Sequence, residues 1–213
     1  ITLTNNGYKE LTSNLIYTLK KLGIDHMLKI YCIGEESFNY FQKKYPNCES
    51  VIVNPKDSQL SSWCQYYAVQ NPNEEGKKVW ADITSYKMYS IHSELYKGND
   101  VIFVDGDIIF NKNPIPYMLQ NIQDSDLLIQ SDEQTDDHPR MCTGFFYMKS
   151  TPYTINMSNF ETITKNINSF TNDQQYLRRH EGNMKVAYLP LDLFPNGKYW
   201  RENLPQENYC LIH

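Results

Sequence analysis

The sequence predicts an α/β fold in which a mixed, mostly parallel sheet of about six or more strands is flanked by helices on both faces. Short apolar segments alternate along the chain with longer segments whose apolar residues recur at helical spacing. The longest strand candidates are apolar throughout, which is typical of strands that are covered on both faces. Three of these segments end in polar residues, and α/β proteins bind ligands at the carboxyl ends of their strands.

The first half of the chain alternates strand and helix as far as a fourth strand. Leu11, Leu15 and Leu19 share one face of the first helix. Gly98 follows the third helix, where a C-cap glycine is expected. Residues 54–78 are polar and contain two prolines, so an irregular segment with one short helix is predicted there. Strands are predicted at 1–4, 27–34, 50–53 and 100–105, and helices at 8–22, 36–45 and 80–97.

The second half adds three strands and two helical segments. The strands are predicted at 126–132, 143–149 and 185–190, and the helices at 152–168 and 172–180. Polar residues follow the first, fourth and fifth strands, at Asn5-Asn6, Asp105-Gly106-Asp107 and Ser131-Asp132. If these strands are parallel, their polar ends face one crevice.

The composition is that of a globular protein. The 213 residues are 40% apolar, which is enough for one large domain or two small ones. The net charge of −5 disfavours a nucleic-acid partner or a membrane surface. No apolar run is long enough to span a bilayer. Because the chain opens on Ile1 and stops in an apolar stretch, we expect one domain, 1–213, excised from a longer chain with further domains after it.

The cysteines carry information about the compartment. An odd number of thiols without close pairs favours reduced cysteines and a cytoplasmic protein, and the spacing provides no zinc motif. An N-terminal anchor that had been removed would instead allow the Golgi lumen. The five residues are Cys32, Cys48, Cys64, Cys142 and Cys210.

The segment Asp105-Gly106-Asp107 is the main candidate for chemistry. Asp-Gly favours a turn, but the flanking residues are apolar on both sides, which places the two carboxylates near the core. Two desolvated carboxylates need a cation, and carboxylate oxygens suit Mg²⁺ or Mn²⁺. Gly106 would allow a phosphate to approach the backbone closely. A divalent ion held in this way often carries a substrate diphosphate.

Two enzyme classes use an apolar strand that ends in Asp-x-Asp. In the phosphohydrolases with an aspartate nucleophile the strand usually comes first in the chain, and Thr or Val follows two residues after the second Asp. Here Ile109 holds that position, and about a hundred residues precede the motif. In the nucleotide-sugar glycosyltransferases the motif lies in the middle of the chain, as it does here.

The order of several motifs resembles the retaining glycosyltransferases of the GT-A fold, which is Rossmann-like. Thr143 stands where that family usually has Asn. The resemblance extends to the nucleotide-diphospho-sugar transferases of family 77 and, more narrowly, to the N-terminal glycosyltransferase domain of a multidomain viral protein. The motifs are "ITLTNNGY", "ITSYKMYSI", "FVDGDIIFNKNP", "MCTGFFYMK", "NDQQYL", "LDLFPNGKYW" and "LIH".

The resemblance implies roles for the residues of the first half, 1–107, which would bind the nucleotide. Thr4, Asn5 and Tyr8 would hold the uracil and ribose, and Lys87 would lie near the diphosphate or the sugar. Lys87 has an equally good interpretation as a solvated helix residue.

Residues 108–213 would form the half that binds sugar and acceptor. Asp173 would bind sugar hydroxyls, and Gln174 would lie near the anomeric carbon. Asp132 would orient donor hydroxyls. The plainer interpretations are that Asp173 stabilises a helix N-terminus and that Asp132 caps a turn, while Arg178 reads as solvated.

By the same resemblance, Asp105, Asp107 and His213 would be the metal ligands, with Gly106 and both carboxylates against the diphosphate. The implied enzyme transfers a hexose from a UDP-sugar to a hydroxyl of a glycan or glycoprotein with retention, and it uses Mn²⁺ or Mg²⁺. The alternatives are the phosphohydrolase and a domain that binds nucleotide-sugar without turnover.

Overall fold

The computed structural model describes residues 1–56, 58–61, 74–133, 135–166, 172–203 and 208–213. Within these ranges nine strands are β1 Thr2–Asn5, β2 Lys29–Ile33, β3 Glu49–Val53, β4 Val101–Val104, β5 Ile109–Phe110, β6 Leu127–Ser131, β7 Met141–Met148, β8 Val186–Tyr188 and β9 Leu211–Ile212. Eight α-helices are α1 Lys9–Lys21, α2 Glu35–Lys44, α3 Glu74–Leu95, α4 Ile115–Asn121, α5 Pro152–Met157, α6 Phe160–Asn166, α7 Asp173–Arg179 and α8 Gly197–Asn203.

The strands form a mixed sheet. β1, β2 and β3 pair in parallel. A second group has the order β4-β7-β6-β8, in which β7 runs antiparallel to both neighbours and β8 runs parallel to β6. The amino group of Ile1 donates to the carbonyl of Ile102, and the amide of Val104 donates to the carbonyl of Ile1. β1 therefore lies beside β4, and the two groups meet edge to edge.

Helices cover both faces of this layer, as the apolar pattern predicts. On one face, α1 buries Leu15, Ile16 and Leu19 in a core that also contains Phe145 and Phe194. Leu11, which shares the predicted face, remains partly exposed. The amphipathic pattern therefore identified the buried stripe of α1 except at its first turn.

On the other face, α3 supplies Met88, Ile91 and Leu95 to a second core. The rings of Phe103 in β4 and Phe146 in β7 stack within that core with their centroids 5.5 Å apart. The sheet thus lies between two helical layers, and the α/β architecture is confirmed.

Several elements differ from the prediction. The helix predicted at 152–168 is divided at Ser158, which ends α5, and α6 follows from Phe160, while residues 167 and 168 lie outside the described part. The long helix begins at Glu74 rather than at residue 80. The segment predicted as irregular, 54–78, includes a short 3₁₀ helix, Ser58–Ser61, while residue 57 and residues 62–73 lie outside the described part. The sequence pattern did not indicate α4, α8 or the antiparallel pair β5–β9.

Two expectations about the environment meet the structure here. The four cysteines in the described ranges, all except Cys64, are free and buried. Among the described residues, no helix combines the length and the apolar character that crossing a membrane would require.

Candidate active site

The two aspartates lie directly after β4 at the carboxyl edge of the sheet. The amide of Asp105 donates to the carbonyl of Gly144 at 2.7 Å, which keeps this residue against β7. Asp105 is half-buried, with a side chain 31% exposed, whereas the side chain of Asp107 is 48% exposed. The expectation that both carboxylates are desolvated is therefore wrong for Asp107, whose side chain is exposed although its neighbours Gly106 and Ile108 are buried.

The cation opposite Asp105 is a lysine of α3. Nζ of Lys87 lies 2.9 Å from Oδ1 of Asp105 and 2.8 Å from Oδ2 of Asp173. It also donates to the carbonyl of Thr143 at 3.2 Å and lies 4.8 Å from the ring centroid of Phe103. Lys87 is buried, so its interpretation as a solvated helix residue is wrong.

These contacts shift two pKa values. Burial lowers the pKa of Lys87, but the carboxylates of Asp105 and Asp173 outweigh burial and raise it above its ordinary value. Burial raises the pKa of Asp105 to about 6, although the ammonium of Lys87 acts in the opposite direction. The ion pair is therefore enclosed, and its burial makes the carboxylate of Asp105 easier to protonate than that of an exposed aspartate.

Asp105, Asp107 and His213 could together hold a metal ion. Each residue offers one ligand atom, and these atoms lie within 4.8 Å of one another. Nε2 of His213 is 3.9 Å from Oδ2 of Asp105 and 3.8 Å from Oδ1 of Asp107. The ammonium of Lys87 contacts the carboxylates of Asp105 and Asp173, and Asp107 adds a third carboxylate beside Asp105, so the carboxylates outnumber the ammonium in this cluster. A divalent cation fits both the donor set and this charge.

The pairing of β5 with β9 brings His213 to the aspartates. Phe110 pairs with Leu211 and Ile109 with Ile212, so the residue after β9 lies close to the segment before β5. Burial lowers the pKa of His213, but Cys142 and the two carboxylates outweigh it and raise the pKa to about 9. A bound cation has to displace that proton.

A glycine makes room for the imidazole. A Cβ added to Gly144 would lie 2.0 Å from Cε1 of His213 and closer than 3 Å to both ring nitrogens. Real Cβ atoms do not approach other atoms this closely, so any larger residue would displace the ring. The motif around Gly144 thus has a direct steric connection to the candidate metal ligand.

The end of β1 forms the opposite wall of a cleft. Thr4 and Asn5 are buried, and the hydroxyl of Thr4 lies 2.8 Å from that of Thr12 in α1. The side chain of Asn5 accepts from the amide of Tyr8 and donates to the carbonyl of Leu60. The cleft brings together seven residues that the sequence singled out, Thr4, Asn5, Tyr8, Lys87, Asp105, Gly106 and Asp107.

Gly106 forms the floor of this cleft. A Cβ at this position would lie 2.5 Å from Oγ1 of Thr12. The close approach of Thr12 therefore explains glycine at the centre of the Asp-x-Asp segment. Thr12 itself was missed, because a threonine inside an amphipathic helix carries no local signal.

A second group lies beside Lys87 at the start of α7. The carboxamide of Gln174 accepts from the amide of Thr143 at 3.3 Å and donates to Oδ2 of Asp132 at 3.1 Å. Nη2 of Arg178 donates to the same oxygen at 3.2 Å and to the carbonyl of Met141 at 2.8 Å. The interpretation of Arg178 as solvated is therefore wrong, since it connects Asp132 to β7.

Two residues behind the metal candidate were also missed. Oε1 of Gln130 lies 3.1 Å from Nδ1 of His213, and Sγ of Cys142 lies 3.5 Å from the same nitrogen. Gln130 is a polar residue in an otherwise apolar strand segment, which is a signal that could have found it. Cys142 carries no comparable signal.

Known proteins resemble this chain in sequence. The model of one family, "Nucleotide-diphospho-sugar transferase", matches residues 24–212.

The chain belongs to this nucleotide-diphospho-sugar transferase family. A UDP-galactose:fucoside alpha-3-galactosyltransferase of Dictyostelium discoideum is 25% identical over 93% of the chain. A beta-arabinofuranosyltransferase of Arabidopsis thaliana is 27% identical over 93% of the chain. The chain spans 34% and 39% of the length of these two relatives.

Solved structures share the fold of this family member. The galactosyltransferase LgtC, solved with donor and acceptor sugar analogs, matches the whole chain and 85% of its own length, with a TM-score of 0.62 and 10% identity. Mouse xyloside xylosyltransferase 1 matches the whole chain and 95% of its own length, with a TM-score of 0.58 and 9% identity. The GT-A fold is thereby confirmed, and the phosphohydrolase and the non-catalytic alternative are not favoured.

Proposed function

We propose that this family member is a metal-dependent hexosyltransferase that moves a sugar from a UDP-sugar to a hydroxyl of a glycan or glycoprotein with retention. The observation that carries the proposal is the cluster of Asp105, Asp107 and His213 at the carboxyl end of β4, in the cleft formed with β1. We infer a nucleotide-sugar donor from the family to which the chain belongs. A relative whose name includes UDP-galactose supports UDP as the nucleotide of that donor. The resemblance of the motif order supports retention.

The division of labour follows the two groups of residues. Thr4, Asn5 and Tyr8 bind the nucleoside at the end of β1, so residues 1–107 form the nucleotide half. Asp173 and Asp132 bind and orient sugar hydroxyls from the half formed by residues 108–213. The acidic cleft alone would repel a diphosphate, so Asp105, Asp107 and His213 would hold Mn²⁺ or Mg²⁺, which would supply a Lewis acid to stabilise the diphosphate charge.

Transfer breaks the bond between the anomeric carbon and the diphosphate oxygen and forms a bond to the acceptor oxygen. The proton of the acceptor hydroxyl passes to the departing phosphate. The ammonium of Lys87 stabilises the developing negative charge, and its two carboxylate partners hold it in place beforehand. Gln174, fixed by Thr143 and Asp132, supports the positive charge that develops on the sugar ring.

The compartment is part of the proposal. The buried free thiols of the four described cysteines support a reducing environment such as the cytoplasm. The location of the protein in its source cells, in the cytoplasm or in the secretory pathway, tests this part of the proposal.

The first test is thermal unfolding with UDP, Mn²⁺, both together and neither. A ligand that binds only the native state raises the midpoint. We expect UDP to raise the midpoint strongly only with Mn²⁺ and expect Asp107→Asn to lose this effect. Asp124→Asn, at an exposed carboxylate in a loop, is the matched control and should behave as wild type. No response to UDP with or without metal would refute the proposal.

The second test follows the reaction itself. UDP release from UDP-galactose and other UDP-hexoses, with simple glycosides as acceptors, should depend on Mn²⁺ or Mg²⁺. The anomeric proton of the product in the NMR spectrum reports retention or inversion. An inverted product would overturn the retaining part of the proposal and leave the transferase assignment in place.

A further inference from the structure

Gln130 lies behind the candidate metal site, on the side of His213 that faces away from the aspartates. It belongs to β6, where the strand register shifts between Ile129 and Gln130. Its side chain is completely buried. A buried carboxamide needs hydrogen-bond partners for its acceptor oxygen and for the two hydrogens of its NH₂ group. The structure supplies partners for both ends of this side chain.

The nitrogen of the carboxamide contacts two carbonyls. Nε2 of Gln130 donates to the carbonyl of Phe194 at 3.1 Å and to that of Pro195 at 3.0 Å. The oxygen of the same group lies 3.1 Å from Nδ1 of His213. An exchange of the amide oxygen and nitrogen would bring oxygen against two carbonyl oxygens, and both carbonyls would lose their donor. The orientation of the carboxamide is therefore determined by Phe194 and Pro195.

This orientation determines the proton on His213. An acceptor oxygen 3.1 Å away requires Nδ1 to carry hydrogen and to donate it. In the neutral imidazole the lone pair is then on Nε2, the nitrogen that faces Asp105 and Asp107. Metal-binding histidines commonly have a partner of this kind on the second nitrogen, and it orients the ring and the tautomer.

We infer that Gln130 is a positioning residue that holds His213 with Nε2 free to bind the divalent cation. The inference rests on the proposed function, because it requires the cation. Cys142 is the rival partner, with Sγ 3.5 Å from Nδ1. A thiol is a weak acceptor, so the carboxamide oxygen is the stronger partner for the Nδ1 hydrogen.

Two substitutions separate this role from packing. Gln130→Met and Gln130→Glu both remove the donors to the carbonyls of Phe194 and Pro195, but only Glu keeps an oxygen toward Nδ1 of His213. We expect Gln130→Met to raise the Kd for Mn²⁺ by about 10- to 100-fold, and Gln130→Glu to stay within about threefold of wild type. Titration of free Mn²⁺ by electron paramagnetic resonance measures this without turnover.

Tyr147→Phe is the control for stability. It removes a partly buried hydrogen bond, from the hydroxyl to Asp100, at the opposite end of β7, and should leave the Kd unchanged. Equal weakening by Met and Glu, or no weakening by Met, would overturn the inference. A wild-type protein that binds no Mn²⁺, alone or with UDP, would instead contradict the proposed metal site itself.

A spectroscopic measurement on the wild-type protein tests the tautomer of His213 directly. A nitrogen-15 spectrum of the metal-free protein, recorded at a pH where the ring is neutral, reports which ring nitrogen of His213 carries the proton. The chain contains five histidines, and His213→Asn assigns the signal. A proton on Nδ1 agrees with the inference, and a proton on Nε2 would overturn it.

Discussion

Nζ of Lys87 in α3 lies 2.8 Å from Oδ2 of Asp173 at the start of α7, and both side chains are buried. Asp105 completes the group at 2.9 Å from the same ammonium. The lysine thus connects the aspartate after β4 to the aspartate that the resemblance implies for sugar binding. This ion pair forms the junction between the two groups of candidate site residues.

Lys87→Met should destabilise the protein by about 3 to 5 kcal/mol, because it leaves buried Asp173 without its cation. Urea unfolding measures the change. Adding Asp173→Asn should recover part of the loss, since the two residues contact each other. Lys20→Met, at an exposed position of α1, is the control and should change stability by about 0.5 kcal/mol or less. Fully additive effects of the two substitutions would contradict the pairing.

Asp173→Asn should lower turnover far more than UDP binding. In the proposed division of labour this carboxylate, which pairs with Lys87, binds the sugar and does not touch the nucleotide. We expect kcat to fall about 100-fold or more, with the Kd for UDP and Mn²⁺ within a few-fold of wild type. Steady-state kinetics and calorimetric titration give the two values, and equal losses in both would contradict the role.

Gly144→Ala should displace His213, because the new Cβ would lie 2.0 Å from Cε1 of its ring. We expect the Kd for Mn²⁺ to rise at least about tenfold, because a displaced imidazole can no longer be oriented toward the metal. Gly182→Ala is the matched control, since a Cβ there meets no atom within 4 Å. Unchanged Mn²⁺ binding in Gly144→Ala would show that the imidazole is not a ligand.

Arg178→Met should leave the side chain of Asp132 without one of its hydrogen-bond donors, so that Asp132 and its partner Gln174 are held less firmly in position. The guanidinium donates to Asp132 and to the carbonyl of Met141 in β7, so it holds Asp132 next to this strand. We expect kcat to fall about tenfold with UDP binding retained, because in the proposed division of labour Asp132 and Gln174 act on the sugar. Arg179→Met, exposed at the next position of α7, is the control. An equal effect of both substitutions would contradict the connection through Asp132.

Acid should destabilise the protein through Glu94. Burial raises the pKa of Glu94, but hydrogen bonds from Tyr31, Lys97 and Lys29 outweigh it and lower the pKa from 4.5 to about 2. A lowered pKa stabilises the fold above the unfolded value of 4.5, and this stability, about 3 kcal/mol, is lost as the pH falls through the folded value.

The measurement compares wild type with Glu94→Gln by urea unfolding at pH 7 and pH 3. At pH 7 the free energy of unfolding of the wild type should exceed that of Glu94→Gln. This difference between the two proteins should shrink by about 2 kcal/mol at about pH 3. Lys20→Gln, on the exposed face of α1, should show no such change in its gap from wild type. A gap that is the same at both pH values would contradict the role of Glu94.

Much of the fold was accessible from local patterns. The apolar runs predicted β1 to β4 and β6 to β8, and helical spacing predicted α1 and α2 within two residues at each end. The short elements β5, α4, β9 and α8 carry little local pattern, because two-residue strands and seven-residue helices are stabilised by their neighbours. The division of 152–168 into two helices was missed for the same reason.

The sequence by itself determined that Asp105 and Asp107 end a buried strand, and residue types and motif order indicated the family. Only the tertiary structure decided that Asp107 faces solvent, that Lys87 bridges Asp105 and Asp173, and that Gln130 faces Nδ1 of His213. Strand endings and helical faces follow from spacing along the chain, because neighbouring residues share one element. Contacts between β6, β9 and α7 join residues that are remote in sequence, and packing of the whole sheet brings them together.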